Sequence, residues 1–112
     1  MNKIQQYRKA SAEWMGVKEH KIIGGGTFIQ YPNKVTDLGG WHPDQDHNQM
    51  AMMIDKLREN GCQISFYCHK DIYMCRITHD PSMENETELW GNETMLIIFM
   101  KAWSKYYKSL NG

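Results

Sequence analysis

Residues 41–49, "WHPDQDHNQ", place two histidines, His42 and His47, and two aspartates, Asp44 and Asp46, within nine positions. Such side chains ligate divalent metals or work as paired acid and base. A zinc site needs three or four ligands at compatible spacing, and two histidines on one helix face sit four apart. His42 and His47 are five apart. A folded-back set of His42, Asp46 and His47 is the metal alternative. With Asp44 it would make the chain a small metal-dependent hydrolase, a nuclease or a nucleotide hydrolase. The competing reading is structural. Asp44 as N-cap accepts the backbone N–H of His47, and Asp46 adds negative charge at the positive end of the helix dipole. We adopt the structural reading, which predicts no catalytic residues, no metal and no cofactor.

The remaining reactive side chains point the same way. Cys68 and Cys75 with His79 resemble a ligand set, and either cysteine with His69 or His79 resembles a nucleophile pair. The strand pairing given below turns both cysteines into an apolar face, where a thiol behaves as a small hydrophobe. Gly24–Gly26 is not followed by the lysine and hydroxyl, or by the helix start, of a phosphate loop.

At 112 residues the chain is expected to form one domain, 1–112. Lys plus Arg and Asp plus Glu are both 13, so no net field favours a polyanion and no direct nucleic-acid partner is expected. Three cysteines without a CxxC pair, and an N-terminus lacking a secretion signal's apolar stretch, predict a reducing cytosol. The longest apolar run, Met95 to Met100, falls far short of the roughly 20 residues that span a bilayer. No membrane partner is expected.

The elements that must position these residues follow from periodicity. Ile4, Tyr7, Trp14 and Met15, with Gly16 behind them, predict a helix over 3–15. "HKII" and "TFIQY", separated by Gly24, Gly25 and Gly26, predict a hairpin. "YPNKVTDLGG" reads as a surface loop. Met50, Met53, Ile54 and Leu57 form a stripe closed by Asn60-Gly61, which predicts a helix over 44–60.

A second hairpin turns at Lys70-Asp71, pairing Cys68 with Tyr73, Phe66 with Cys75 and Ile64 with Ile77, so that six apolar residues share one face. This register accounts for the cysteines as core. The other face carries Tyr67, Ile72 and Met74 at its turn end, too apolar to be wholly solvated. Residues 79–91, with four acids and no Lys or Arg, read as a solvated connection. Asn92 then caps a last helix to about 109, with Leu96, Phe99, Trp103, Tyr106 and Leu110 in its stripe.

The order α-ββ-α-ββ-α predicts an α+β fold with a four-stranded antiparallel sheet and helices packed on it. "MLIIFM" at 95–100 is apolar all round its helix. That implies either a self-associating chain, a homo-oligomer, or a helix enclosed within a three-layer monomer.

"WMGV" at 14–17, "WHPDQDHNQ" opening the second helix, "MMIDKLRENG" completing it, the following hairpin and the acidic approach to the last helix resemble the phage ABA sandwich domain family. The resemblance covers about Ala10 to Lys105. Its most specific element is Trp41, Pro43 and Asp44 leading into Asn48-Gln49 and Ile54-Asp55-Lys56-Leu57. It implies a layered α/β/α arrangement and a small phage or prophage protein working in the bacterial host cytoplasm. Family members are alanine-rich where this chain has Met95 to Phe99, and the family brings no catalytic residues to transfer.

The function expected is therefore binding, not catalysis. The chain counters bacterial host defence, either by blocking a defence protein or by sequestering a small nucleotide immune signal. An assembly or accessory factor acting through protein contacts is the alternative. Tryptophan offers a rigid face that stacks on bases, and methionine adapts its shape. The candidate binding residues are Trp41, His42, Tyr31, Trp90 and the turn at Gly25.

Overall fold

The computed structural model describes residues 2–32, 34–79 and 86–111. The elements are α1 (Lys3–Met15), β1 (Lys18–Lys21), β2 (Thr27–Tyr31), β3 (Lys34–Leu38), α2 (His47–Glu59), β4 (Gln63–His69), β5 (Ile72–Thr78), β6 (Glu86–Gly91) and α3 (Met95–Asn111). They divide into two compact units, Met1–His42 and Pro43–Gly112. Each holds an antiparallel sheet, ordered β1-β2-β3 in the first and β4-β5-β6 in the second. The α+β class stands, but the single four-stranded sheet does not. Each hairpin instead recruits a third strand from a stretch that reads as loop, "KVTDL" or "ETELWG", and so satisfies backbone groups along one of its edges. Residues 80–85 of the expected acidic connection lie outside the described residues. No helix among the described residues is long and apolar enough to cross a membrane.

In the first unit, α1 starts with a capping box. Asn2 accepts from the Gln5 N–H at 2.8 Å, and the Gln5 side chain accepts from the Asn2 N–H. It ends at Gly16, whose φ of 70° suits a left-handed cap and whose Cα lies so close to Pro32 that a Cβ would meet Cγ at 2.9 Å. The first hairpin pairs Lys18 with Gln30 through to Lys21 with Thr27, two residues earlier than "HKII" suggests. Ile22 and Ile23 lie outside the strand, and the turn closes on an Ile22 N–H bond to the Gly26 carbonyl.

In the second unit the cap of α2 is Asp46, not Asp44. Its carboxylate accepts from the N–H groups of Asn48 at 2.9 Å and Gln49 at 3.1 Å, so the helix begins at His47. The "DQD" spacing offers two acids within one turn, and only the one adjacent to the first helical residue reaches both free donors. Asp46→Ala should therefore lose about 1 kcal/mol, read as a lower urea midpoint at unchanged m, while Asp46→Asn should stay close to wild type.

The β4–β5 hairpin has the predicted register, Ile64 with Ile77, Phe66 with Cys75 and Cys68 with Tyr73. Lys70 sits in the turn at φ 55°. Burial does not follow the face to its end. Cys75 and Cys62 are enclosed, whereas Cys68 beside the turn is exposed, which corrects its assignment to the core. β6 continues the same face with Leu89 opposite Cys75 and Gly91 opposite Tyr73.

α3 packs across β5 and β6. Thr94, not Asn92, starts it, accepting the Ile97 N–H on its hydroxyl. Leu110 is exposed, so the buried stripe ends at Tyr106. Ile98, Phe99 and Met100 are consecutive and all fully enclosed. Successive helical residues point about 100° apart, so these three bury more than half of the helix circumference, while Met95 and Ile97 of the same stretch are half-buried.

At Gly91 the sheet lies close against the helix, because a Cβ there would meet Ile98 Cδ1 at 2.5 Å. Gly91→Ala should cost about 1–3 kcal/mol as overpacking. Adding Ile98→Val, which removes the opposing methyl, should recover part of that loss. Two losses that simply add would show the contact to be slack.

Candidate functional site

The four residues that open the chemical question each have their own place in the fold. Asp46 is spent on the α2 cap. Asp44 is buried and already engaged within the protein. His47 is exposed in the first turn, and His42 is half-buried. Among the described residues no group of three His, Cys, Asp or Glu side chains could hold a metal ion. Cys75 is no activated nucleophile. Burial pushes the Cys75 thiol up to about 12, so it stays protonated at neutral pH. His79 lies edge-on to Tyr106, with ring centroids 4.9 Å apart.

Within the first unit, Trp41 and His42 line a groove of about 530 Å³. One face of α1, bearing Gln5, Arg8, Lys9 and Glu13, forms a wall, and Val17, Glu19 and Gly40 complete it. The site is braced from beneath. The Trp41 indole N–H donates to Ser11 Oγ at 2.9 Å, and the Ser11 hydroxyl donates to the Arg8 carbonyl at 3.1 Å. The Trp41 backbone N–H donates to Glu19 at 2.5 Å. A groove of this size suits a small molecule. Its chemistry is less selective: Arg8 and Lys9 are offset by Glu13 and Glu19, and Trp41 is only 3% exposed, so no open ring face remains for a base.

Tyr31 is buried in β2 and does not line this groove. Gly25 stands in an open turn, with no atom within 4 Å of where a Cβ would be. Of the candidate residues, the structure brings together Trp41 and His42.

Trp90 belongs to the second unit, on the sheet face opposite α3. There β6 sets Trp90 beside Met74, whose other cross-strand neighbour is Tyr67. Met74 is buried beneath them, while Trp90, Tyr67 and Ile72 are 52%, 49% and 45% exposed. The rings meet edge to face at 6.0 Å, and Tyr67 stacks on His69 at 6.5 Å. The Trp90 indole N–H donates to Glu88 at 2.6 Å. Glu88 in turn accepts from the Arg76 guanidinium at 2.6 and 3.0 Å. These two donors, Trp90 first, hold the Glu88 carboxyl below its usual range. The indole is thus oriented by a charged pair, with its apolar body toward solvent.

Trp90 stood among the expected binding residues, but Tyr67 and Ile72 did not. Their signal was the apolar turn end of the hairpin's second face. That it is an exposed cluster with Trp90 became visible only once "ETELWG" proved to be a strand.

Comparison with known proteins finds no matching family model, no matching curated sequence and no matching solved structure.

Proposed function

We propose that this chain is a phage-encoded, non-catalytic binding protein that counters bacterial host defence in the host cytoplasm by occupying a defence protein. The observation that carries the reading is the Trp90 cluster. Large, preorganised aromatic side chains around an apolar centre are what dominate protein–protein affinity, each contributing roughly 2 kcal/mol or more where it seats in a partner's pocket. Trp90 loses little freedom on binding because Glu88 already holds it.

Sequestration of a nucleotide signal is the weaker branch, since the Trp41 and Tyr31 rings that would stack on bases are enclosed. The resemblance of residues 41–57 to the phage ABA sandwich family supports the biological setting.

The test is phage plating on bacterial strains that each carry one defence system, with the chain expressed in trans. Wild type should restore plating on at least one strain. Trp90→Ala with Tyr67→Ala should abolish that rescue while leaving thermal stability and far-ultraviolet dichroism intact. Rescue by the double variant would show the surface to be wrong, and no rescue by wild type on any strain would remove the defence reading.

A further inference from the structure

A second surface in the same unit, the free edge of β4, whose Tyr67 and His69 also reach the Trp90 face, has the features of a strand-addition site. β4 is an edge strand, pairing with β5 alone among the described residues. Its seven residues, "QISFYCH", contain no Lys, Arg, Asp, Glu or Pro, and its ladder runs without a bulge. Proteins protect exposed edges with those very devices. All of β4 except Ile64 is exposed.

The direction of its free backbone groups follows from the turn. A two-residue hairpin closes on a hydrogen-bonded pair, here His69 with Ile72, and the ladder alternates from there. The N–H and C=O of Cys68, Phe66 and Ile64 therefore face the free edge.

Alongside lies a groove of about 440 Å³, walled by Ile54 and Arg58 of α2, by Cys62 and by Gln63 to Phe66 of β4. Its apolar lining comes from Ile54, Ile64 and Phe66, and Arg58 is its only charged residue. No described residue forms an ion pair with the Arg58 guanidinium. α2 joins β4 through Asn60, Gly61 and Cys62, so helix and strand converge at the Gln63 end. A chain lying between them runs into that junction. A partner strand antiparallel to β4 has its C-terminal end there, beside Arg58.

We propose that β4 and α2 form a docking groove for the extended C-terminal tail of a partner protein. The tail adds antiparallel to β4, places alternate apolar side chains against Ile54 and Phe66, and sets its terminal carboxylate on Arg58. Main-chain bonds supply affinity and the alternate pockets supply selectivity, as strand addition generally does. Arg58 suits the terminus because a guanidinium binds a carboxylate bidentately.

The test is selection of a random heptapeptide library displayed with free C-termini on the full-length chain, followed by fluorescence polarisation of the selected peptides. Winners should carry apolar residues at the C-terminus and at alternate positions before it. Amidating the terminus, or Arg58→Ala, should weaken binding about tenfold or more, about 1.4 kcal/mol. N-methylation of alternate peptide amides should abolish it. Amide resonances of Ile64, Phe66 and Cys68 should shift on titration, and Trp90→Ala should leave affinity unchanged.

Winners that bind equally well as amides, that tolerate N-methylation, or that shift α1 instead would overturn the proposal. So would the absence of any winner, or light scattering that shows a stable dimer with β4 amides protected before peptide is added. Because Trp90→Ala spares this site and Arg58→Ala spares the Trp90 face, the two readings fail separately.

Discussion

Phe99→Ala should remove roughly 3–5 kcal/mol from the second unit, the range for truncating a large buried aromatic. Phe99 is fully enclosed on α3, between the equally enclosed Ile98 and Met100, with its ring 6.2 Å from that of Phe66. Its loss forfeits transfer energy and leaves a cavity that the neighbours cannot readily fill, since Trp103 one turn on is stacked against Tyr107 at 4.9 Å. Stability near 0.05–0.15 kcal/mol per residue gives a chain of this length only about 6–17 kcal/mol in all. One substitution would thus consume about a fifth of it or more. Phe66→Ala, at a ring 40% exposed, is the contrast and should cost about 1 kcal/mol. Urea unfolding checks both, and equal losses at the two positions would show that Phe99 is not the anchor of α3.

The second large effect is alkaline loss of stability. Cys75 titrates near 9.0 when unperturbed, and burial pushes it up to about 12 in the fold. Tyr106 moves in the same direction, from 10.0 to about 12, through burial first and then its neighbour Cys62. Both groups are neutral when protonated, so the folded chain holds these protons more tightly than the unfolded chain. Their stabilisation is complete below about pH 9 and drains away as pH rises toward 12. At pH 10.5 the Cys75 share alone is roughly 2 kcal/mol, at 1.36 kcal/mol per pKa unit. Unfolding followed from pH 7 to 11 should show this decline. Cys75→Ala should start less stable at pH 7 yet fall less steeply. Parallel profiles for wild type and Cys75→Ala would refute the assignment.

Elements defined by strong periodicity were legible in the residues. The 3–15 helix starts and stops where its asparagine and glycine permit. The second hairpin has its register because apolar side chains at alternate positions can share only one face of a pleated ribbon. What periodicity could not show was recruitment. "KVTDL" and "ETELWG" are short and polar, and become strands because a hairpin beside them offers unpaired backbone groups, a tertiary cause with little local trace. The choice between Asp44 and Asp46 depended on where α2 begins, the boundary that composition resolves least well. Among the binding candidates, residue type drew attention to Trp41, but its indole proved to be bonded to Ser11. Trp90, a ring of the same kind, emerged at the surface because the third strand of its sheet turns it outward.

That difference between rings makes the molecule its own optical probe. Trp41 and Trp103 are shielded from water, whereas Trp90 stands half in it, tethered to a carboxylate. Indole emission shifts to the red and becomes accessible to iodide where solvent reaches the ring. Trp14 is half-buried and Trp90 half-exposed, so the part of the quenching that Trp90→Phe removes reports the Trp90 face, and a partner that settles there should announce itself by a blue shift and by protection of that part from iodide.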